Sequence, residues 1–227
     1  MVKKAYRATG GFILLLLLFI PLPTAGQQVS VTDIEAYRLS FLPPMRAVEA
    51  ELRGLFPPER RYECKCRLKK IQSIQEKIVR KRLAGIEDVT DIAGCRLSFP
   101  DLSRIPKVEN TIQRRFRVVE RENHLEDKRD SGYRAVHYLI EKNGKIVELQ
   151  LRTFRQNIWG RLSHQWVYKG PYSKNKGVKR YLLNLSRAIY TLDLGEDATL
   201  PELPSDLPSD FHTAVDQSLP QLRAVGK

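Results

Sequence analysis

Cysteine, methionine and tryptophan are scarce in this chain, with 3 Cys, 2 Met and 2 Trp among 227 residues. Three thiols cannot build the disulfide framework of a miniprotein. Cys64, Cys66 and Cys95 also supply neither the ligand number nor the spacing of a structural zinc site. Long apolar runs are missing except for one at the very start, which excludes a polytopic membrane protein. No long-period repeat is visible, which excludes a solenoid. What is present is 42% hydrophobic and 29% charged residues in 26.2 kDa. That composition supports one folded domain with tails and argues against wholesale disorder.

The apolar run covers residues 12–20, after Lys3, Lys4 and Arg7 and before Pro21 and Pro23; Thr24, Ala25 and Gly26 then precede Gln27. A basic start, an apolar middle and a small-residue end make the pattern of a secretory signal peptide. The run is about half the ~20 residues that a spanning helix needs. The expectation is cleavage after Gly26, a secreted or periplasmic product and no stable membrane association afterwards; an uncleaved anchor is the rival reading. No Cys stands directly after the run, which argues against a lipid-modified N-terminus. The formal charge is +13. The leader holds three of the cations, and residues 196–227 hold six acids against two cations, which leaves +14 on residues 27–195. Such a field favours polyanions: nucleotides, RNA or an anionic membrane surface.

Apolar spacing predicts a helix over 31–56 that Pro43 and Pro44 must kink or split, with Ile34, Tyr37, Leu39, Phe41, Val48, Leu52 and Leu55 toward the core. A short strand is expected over 61–68, then a basic helix over 69–84 with Gly85 as its stop. Residues 91–99 read as a buried strand, 101–116 as a helix and 118–123 as a strand. Strands over 132–141 and 145–153 are joined by Asn143-Gly144, a strong hairpin signal. Helices are expected over 154–169 and 176–193. The proline-rich, acidic residues 196–227 read as a flexible tail or surface wrap, not a second domain. The fold class is α+β, a mixed five-stranded sheet flanked by helices.

Two-residue periodicity places Val147, Leu149 and Leu151 on one face and Ile146, Glu148, Gln150 and Arg152 on the other. A row of polar side chains is most often a solvated face. On the partner strand Tyr133, Ala135, His137 and Leu139 share a face, and Tyr133 is either a stacking platform for a base or a core tyrosine. Asp91 and Arg96 stand in an apolar run, where charges are costly unless paired or bound to a metal or phosphate. Strict alternation separates them unless Gly94 makes a bulge. Lys70, Ser73 and Lys77 share a helical face, with Arg67 and Lys69 just before it. A cluster of cations with a hydroxyl suits a triphosphate. Among the cysteines, one pair can bridge if the chain is exported, and Cys95 otherwise serves as a small buried hydrophobe.

In order along the chain stand R-L-K-K-I-Q-S-I-Q-E-K (67–77), D-I-A-G-C-R (91–96), G-Y-R-A-V-H (132–137), E-L-Q-L-R-T (148–153) and W-G-R-L-S-H (159–164), the last followed by Tyr168-Lys169. Together they resemble the synthetase domain of the RelA/SpoT alarmone family. The resemblance implies a nucleotidyltransferase-like fold over residues 27–195. It also implies transfer of the β,γ-pyrophosphoryl group of ATP to the 3′-hydroxyl of a guanine nucleotide, with Mg²⁺. On it, Arg67 and Arg96 sandwich the adenine, and Lys69, Ser73 and Lys77 hold the ATP phosphates. Asp91 binds the metal, and Glu148 assists it or takes the 3′-hydroxyl proton. Tyr133 stacks on the acceptor base, and Arg129, His137, Gln150 and Arg152 shape the acceptor side. For His137 a structural hydrogen bond competes with a phosphate contact. Ser163 replaces the family's Glu, and Lys128 to Ser131 depart from the family's P-K-P-N loop, so the acceptor is left open. No His-Asp dipeptide occurs, so the hydrolase half of bifunctional relatives is not expected. An RNA 3′ end is the alternative acceptor, and a non-catalytic nucleotide-binding module is the third reading.

Overall fold

The computed structural model describes residues 30–126, 130–168 and 170–225. The expected signal peptide, Lys128, Arg129 and Lys169 lie outside them. The chain begins with α1 (Val31–Leu39), capped by the Ser30 hydroxyl, which accepts from the Asp33 N–H, and α2 (Leu42–Leu55), with proline in its first turn. The prolines split the expected long helix, since the first turn is where a missing N–H costs nothing. Leu39, expected in the core, is 46% exposed at the end of α1.

Five strands follow with helices between them: β1 (Glu63–Leu68), α3 (Ile71–Lys81), β2 (Ala93–Phe99), α4 (Ile105–Arg115), β3 (Arg117–Asn123), β4 (Val136–Lys142) and β5 (Lys145–Thr153). The sheet order is β1-β2-β5-β4-β3, with β2 parallel to β5 and the other pairs antiparallel. This is the mixed five-stranded sheet the sequence predicts. Asn143 and Gly144 have φ of 53° and 70°, the left-handed pair that a tight hairpin requires. One sheet face, with Leu97, Phe99, Tyr138, Ile140, Val147, Leu149 and Leu151, is buried against Val48 and Leu52 of α2 and Val108 and Ile112 of α4.

Several local expectations are corrected. Helix α3 stops at Arg82, itself in the left-handed region at φ 52°, and Gly85 is extended. β4 starts at Val136, so residues 132–135 approach the sheet as loop. No bulge forms at Gly94: the β1 and β5 registers run unbroken through it. Asp91 escapes alternation because it stands in the turn before β2. α5 (Phe154–Ser163) gives way to a wider π-type turn over His164–Tyr168.

The largest difference lies at the C-terminus. After α6 (Lys176–Asp193), residues 196–208 wrap the surface, but α7 (Ser209–Ala224) is a packed helix. Phe211, Val215 and Leu222 of α7 are fully buried in a second core with Ile158 and Trp159 of α5 and Leu185 and Ile189 of α6. The proline content hid three apolar residues at helical spacing. Among the described residues no helix is long and apolar enough to cross a membrane.

Cys66 and Cys95 are direct partners across β1 and β2 and form a disulfide. Cys64 stays a buried thiol, which desolvation pushes up to about 11.

Candidate active site

The sheet face opposite the α2–α4 core carries the polar residues. Because paired residues share a face, the registers line up Lys65 and Arg67 of β1, Arg96 of β2, Glu148 and Gln150 of β5, and His137 of β4. The first five of these border a cavity of about 240 Å³, together with Lys69 and Asp91. Lys65 was missed in the sequence; its two-residue spacing from Arg67 was the available signal.

Asp91 is fixed by its neighbours. The Lys69 N–H donates to the Ile92 carbonyl at 2.8 Å, tying the β1 exit to the turn. The Lys69 Nζ then reaches Asp91 Oδ2 at 2.6 Å, and Lys77 Nζ reaches Oδ1 at 2.9 Å from α3. Burial alone pushes the Asp91 carboxyl up, but the two lysines more than offset it and hold it below its ordinary value. Ser73 stands half-buried in the first turn of α3 and does not border the cavity. Lys70, the α3 N-cap, makes no side-chain cap, so none of the first-turn amides beside Ser73 is taken by it.

Glu148 is the second acid. Gln150 Nε2 donates to its Oε2 at 3.0 Å, and His137 Nδ1 lies 3.2 Å from its Oε1. Burial pushes this carboxyl up too, yet the His137 and Gln150 contacts bring it below its ordinary value. Both acids are therefore ionised at neutral pH, on the wall of one cavity. The Asp91 charge is felt at Glu148, opposing its ionisation.

Tyr133 joins the two halves of the site. Its hydroxyl lies 2.5 Å from His137 Nε2 and accepts from Arg152 Nη2 at 2.6 Å, while the Arg152 guanidinium sits 4.7 Å from the ring centre. One ring face is thus occupied by Arg152. His137 bridges Glu148 and Tyr133, the structural hydrogen-bonding role, and Arg152 is spent on Tyr133. Arg96 is depressed to about 10 by desolvation and then by the neighbouring charges of Arg152 and Arg67. Arg96 Nε, Arg152 Nε and Gln150 Oε1 are buried with no protein partner. Such orphaned groups are costly unless a ligand meets them.

The expected Mg²⁺ fits this donor set. Two ionised carboxylates and an orphaned amide oxygen are all hard oxygen ligands, and Mg²⁺ is commonly held by one or two carboxylates plus phosphate oxygens. The structure brings together Arg67, Lys69, Lys77, Asp91, Arg96, His137, Glu148, Gln150, Tyr133 and Arg152; it leaves Ser73 off the cavity wall and Arg129 outside the described residues.

Comparison with known proteins gives a consistent picture. Residues 66–173 match the region found in RelA / SpoT proteins. The chain is 35% identical over 140 residues to GTP pyrophosphokinase YjbM of Bacillus subtilis, covering 56% of this chain and 66% of that protein. It spans two thirds or less of the curated relatives it matches, 66% and 57%. Among solved structures, the small alarmone synthetase 1 of Bacillus subtilis superposes with a TM-score of 0.57 at 31% identity, over 68% of this chain and 91% of that one. The same enzyme bound to its product pppGpp gives a TM-score of 0.58 at 29% identity, over 70% and 93%. With five ordered motifs, a shared sheet and one cavity lined by residues of three of those motifs, the chain belongs to the RelA/SpoT family, on the side of its small alarmone synthetases.

Proposed function

We propose that this protein transfers the β,γ-pyrophosphoryl group of ATP to the 3′-hydroxyl of a purine nucleotide, guanine in the first instance. The observation that carries this reading is the convergence of Asp91, Glu148 and the cations Arg67, Lys69 and Arg96 on one cavity, with Lys77 reaching Asp91 from α3. Diphosphate transfer needs positioning and charge neutralisation more than covalent catalysis. The acceptor 3′-oxygen attacks the β-phosphorus, the bond from that phosphorus to the α,β-bridging oxygen breaks, and AMP leaves. Glu148 takes the hydroxyl proton, for which its ionised state suits it. Arg67 and Arg96 stack the donor base, Lys69 and Lys77 hold its phosphates, and Tyr133, Gln150 and Arg152 shape the acceptor side. Mg²⁺ on Asp91 and Glu148 would supply neutralisation of phosphate charge.

We further propose that the protein acts outside the cytoplasm that makes it. The leader pattern supports this, and so does the Cys66–Cys95 disulfide, since such bonds persist in oxidising compartments. Fractionation of the producing cells followed by mass spectrometry should find the protein outside the cytoplasm as a chain starting at Gln27; a full-length chain confined to the cytoplasm would defeat the idea.

The decisive experiment mixes purified protein with ATP and GTP, GDP, GMP, an adenine nucleotide or tRNA, and identifies products by mass spectrometry. A guanine nucleotide gaining a 3′-diphosphate alongside AMP is expected. Glu148→Gln should lower turnover by about 10²–10⁴-fold while folding is kept; unchanged function in that variant would favour a binding module. The basic body is the observation that favours an RNA acceptor. Activity on RNA should fall steeply with salt, by about 10³–10⁵ between 50 and 200 mM if six to ten phosphates are contacted, whereas a mononucleotide should show a shallow dependence.

A further inference from the structure

At the β3 end of the same sheet face stand three side chains that the proposed reaction does not use as a set. Glu122 and His137 are direct cross-strand partners on β3 and β4. Two residues on, the His124 N–H donates to the Ala135 carbonyl at 2.9 Å, so the ladder continues past the strand and keeps His124 on that face. His124 Nε2 lies 3.1 Å from Glu122 Oε2, and the His124 and His137 rings meet edge-on at 5.2 Å. One potential ligand atom from each of the three lies within 4.8 Å of the others. Ligand atoms around a tetrahedral zinc stand roughly 3.3 Å apart. Small side-chain rotations of the half-exposed Glu122 and His124 close the difference.

We infer that Glu122, His124 and His137 form a second metal site, selective for a borderline divalent ion such as Zn²⁺, and that its occupation inhibits the enzyme. Two imidazoles and a carboxylate suit zinc and its neighbours, whereas the all-oxygen set of Asp91 and Glu148 suits Mg²⁺. A three-ligand site leaves a fourth position to water. The coupling follows from His137. Its Nδ1 is engaged with Glu148 and its Nε2 with the Tyr133 hydroxyl, so ligation of either nitrogen displaces one of them. The ion therefore competes with the contact that sets Glu148 or with the one that sets Tyr133. Metal binding stands on the side-chain geometry alone; the inhibition rests on the proposed pyrophosphokinase reading.

The test uses the full chain without nucleotide, titrated with Zn²⁺ in a calorimeter and with Co²⁺ in the visible spectrum. One site per chain is expected, with a Co²⁺ ligand-field band. His124→Ala and the shape-preserving Glu122→Gln should each weaken binding at least tenfold and reduce the band, with thermal unfolding unchanged. Equal binding by both variants and the parent, or no band, overturns the site. In Mg²⁺-supported turnover, both variants should keep parental activity and need at least tenfold more Zn²⁺ for half inhibition. Parental sensitivity in variants that have lost the metal overturns the coupling, while a chain inactive on every nucleotide overturns the reaction and leaves the binding result standing.

Discussion

His137 and Asp193 show how single groups shape this molecule. His137 touches both Glu148 and Tyr133, so His137→Ala should lower kcat on the order of 10²-fold while the KM for ATP holds; equal activity would make the histidine a bystander. Asp193 is fully buried, receives the Thr153 hydroxyl and pairs with Arg155 at 3.0 Å. Burial nonetheless pushes its carboxyl up to about 6, only partly offset by those partners. Between its ordinary value and about 6, the folded chain holds a proton that the unfolded chain has released. Its contribution to stability is thus complete below the ordinary aspartate range and is lost as pH rises through about 6. Asp91 and Glu148, both depressed, run the other way: their contribution is present above the ordinary carboxylate range and lost as pH falls through their folded values. Asp193→Asn removes the first dependence. The variant should gain on the parent between pH 4 and 7 by on the order of 3 kcal/mol, read from urea midpoints at each pH.

At the scale of elements, the β1–β2 pair and the segment it encloses form one unit. The Cys66–Cys95 bridge closes a loop with a sequence separation of 29, and Arg67, Lys69, Ser73, Lys77 and Asp91 all lie inside it. A loop of that length is stabilised by roughly 3–4 kcal/mol in the chain-entropy account. Reduction, or Cys66→Ser with Cys95→Ser, should lower the urea midpoint accordingly; an unchanged midpoint would show that the strand pairing alone holds the loop. The approach to β4 depends on Gly132, whose φ of 77° is left-handed and whose added Cβ would stand 2.6 Å from the Trp159 ring. Gly132→Ala should cost about 2–4 kcal/mol from strain and overpacking, read as a lower Tm, and should displace Tyr133.

At the scale of the whole molecule there are two cores, one between the sheet and α1–α4 and one among α5–α7, and the cavity opens on the sheet face opposite the first. The α5–α7 core takes Trp159 and packs against Tyr133, so it supports the Tyr133 end of the site from behind. Arg155 joins these parts, donating to the Leu222 carbonyl of α7 and to Asp193 of α6. Phe211→Ala should cost roughly 3–5 kcal/mol, and a chain cut after residue 208 should lose its cooperative unfolding transition. Wild-type stability after that cut would mean that α7 is dispensable.

The hairpin at Asn143-Gly144, the alternation of β5 and the split at Pro43-Pro44 were legible because each is a local rule acting on a few adjacent residues. So were the five motifs that carry Asp91, Glu148 and their cations. The structure decided the rest through contacts between distant segments: the lysine pair on Asp91 from two elements, the His137 bridge from Glu148 to Tyr133, the choice of Cys66 over Cys64 as the partner of Cys95, and the docking of α7. Sequence spacing fixes which way a side chain points along its own element. Which element it then faces is set by strand order and register, and those emerge only when apolar faces far apart in the chain are buried against each other.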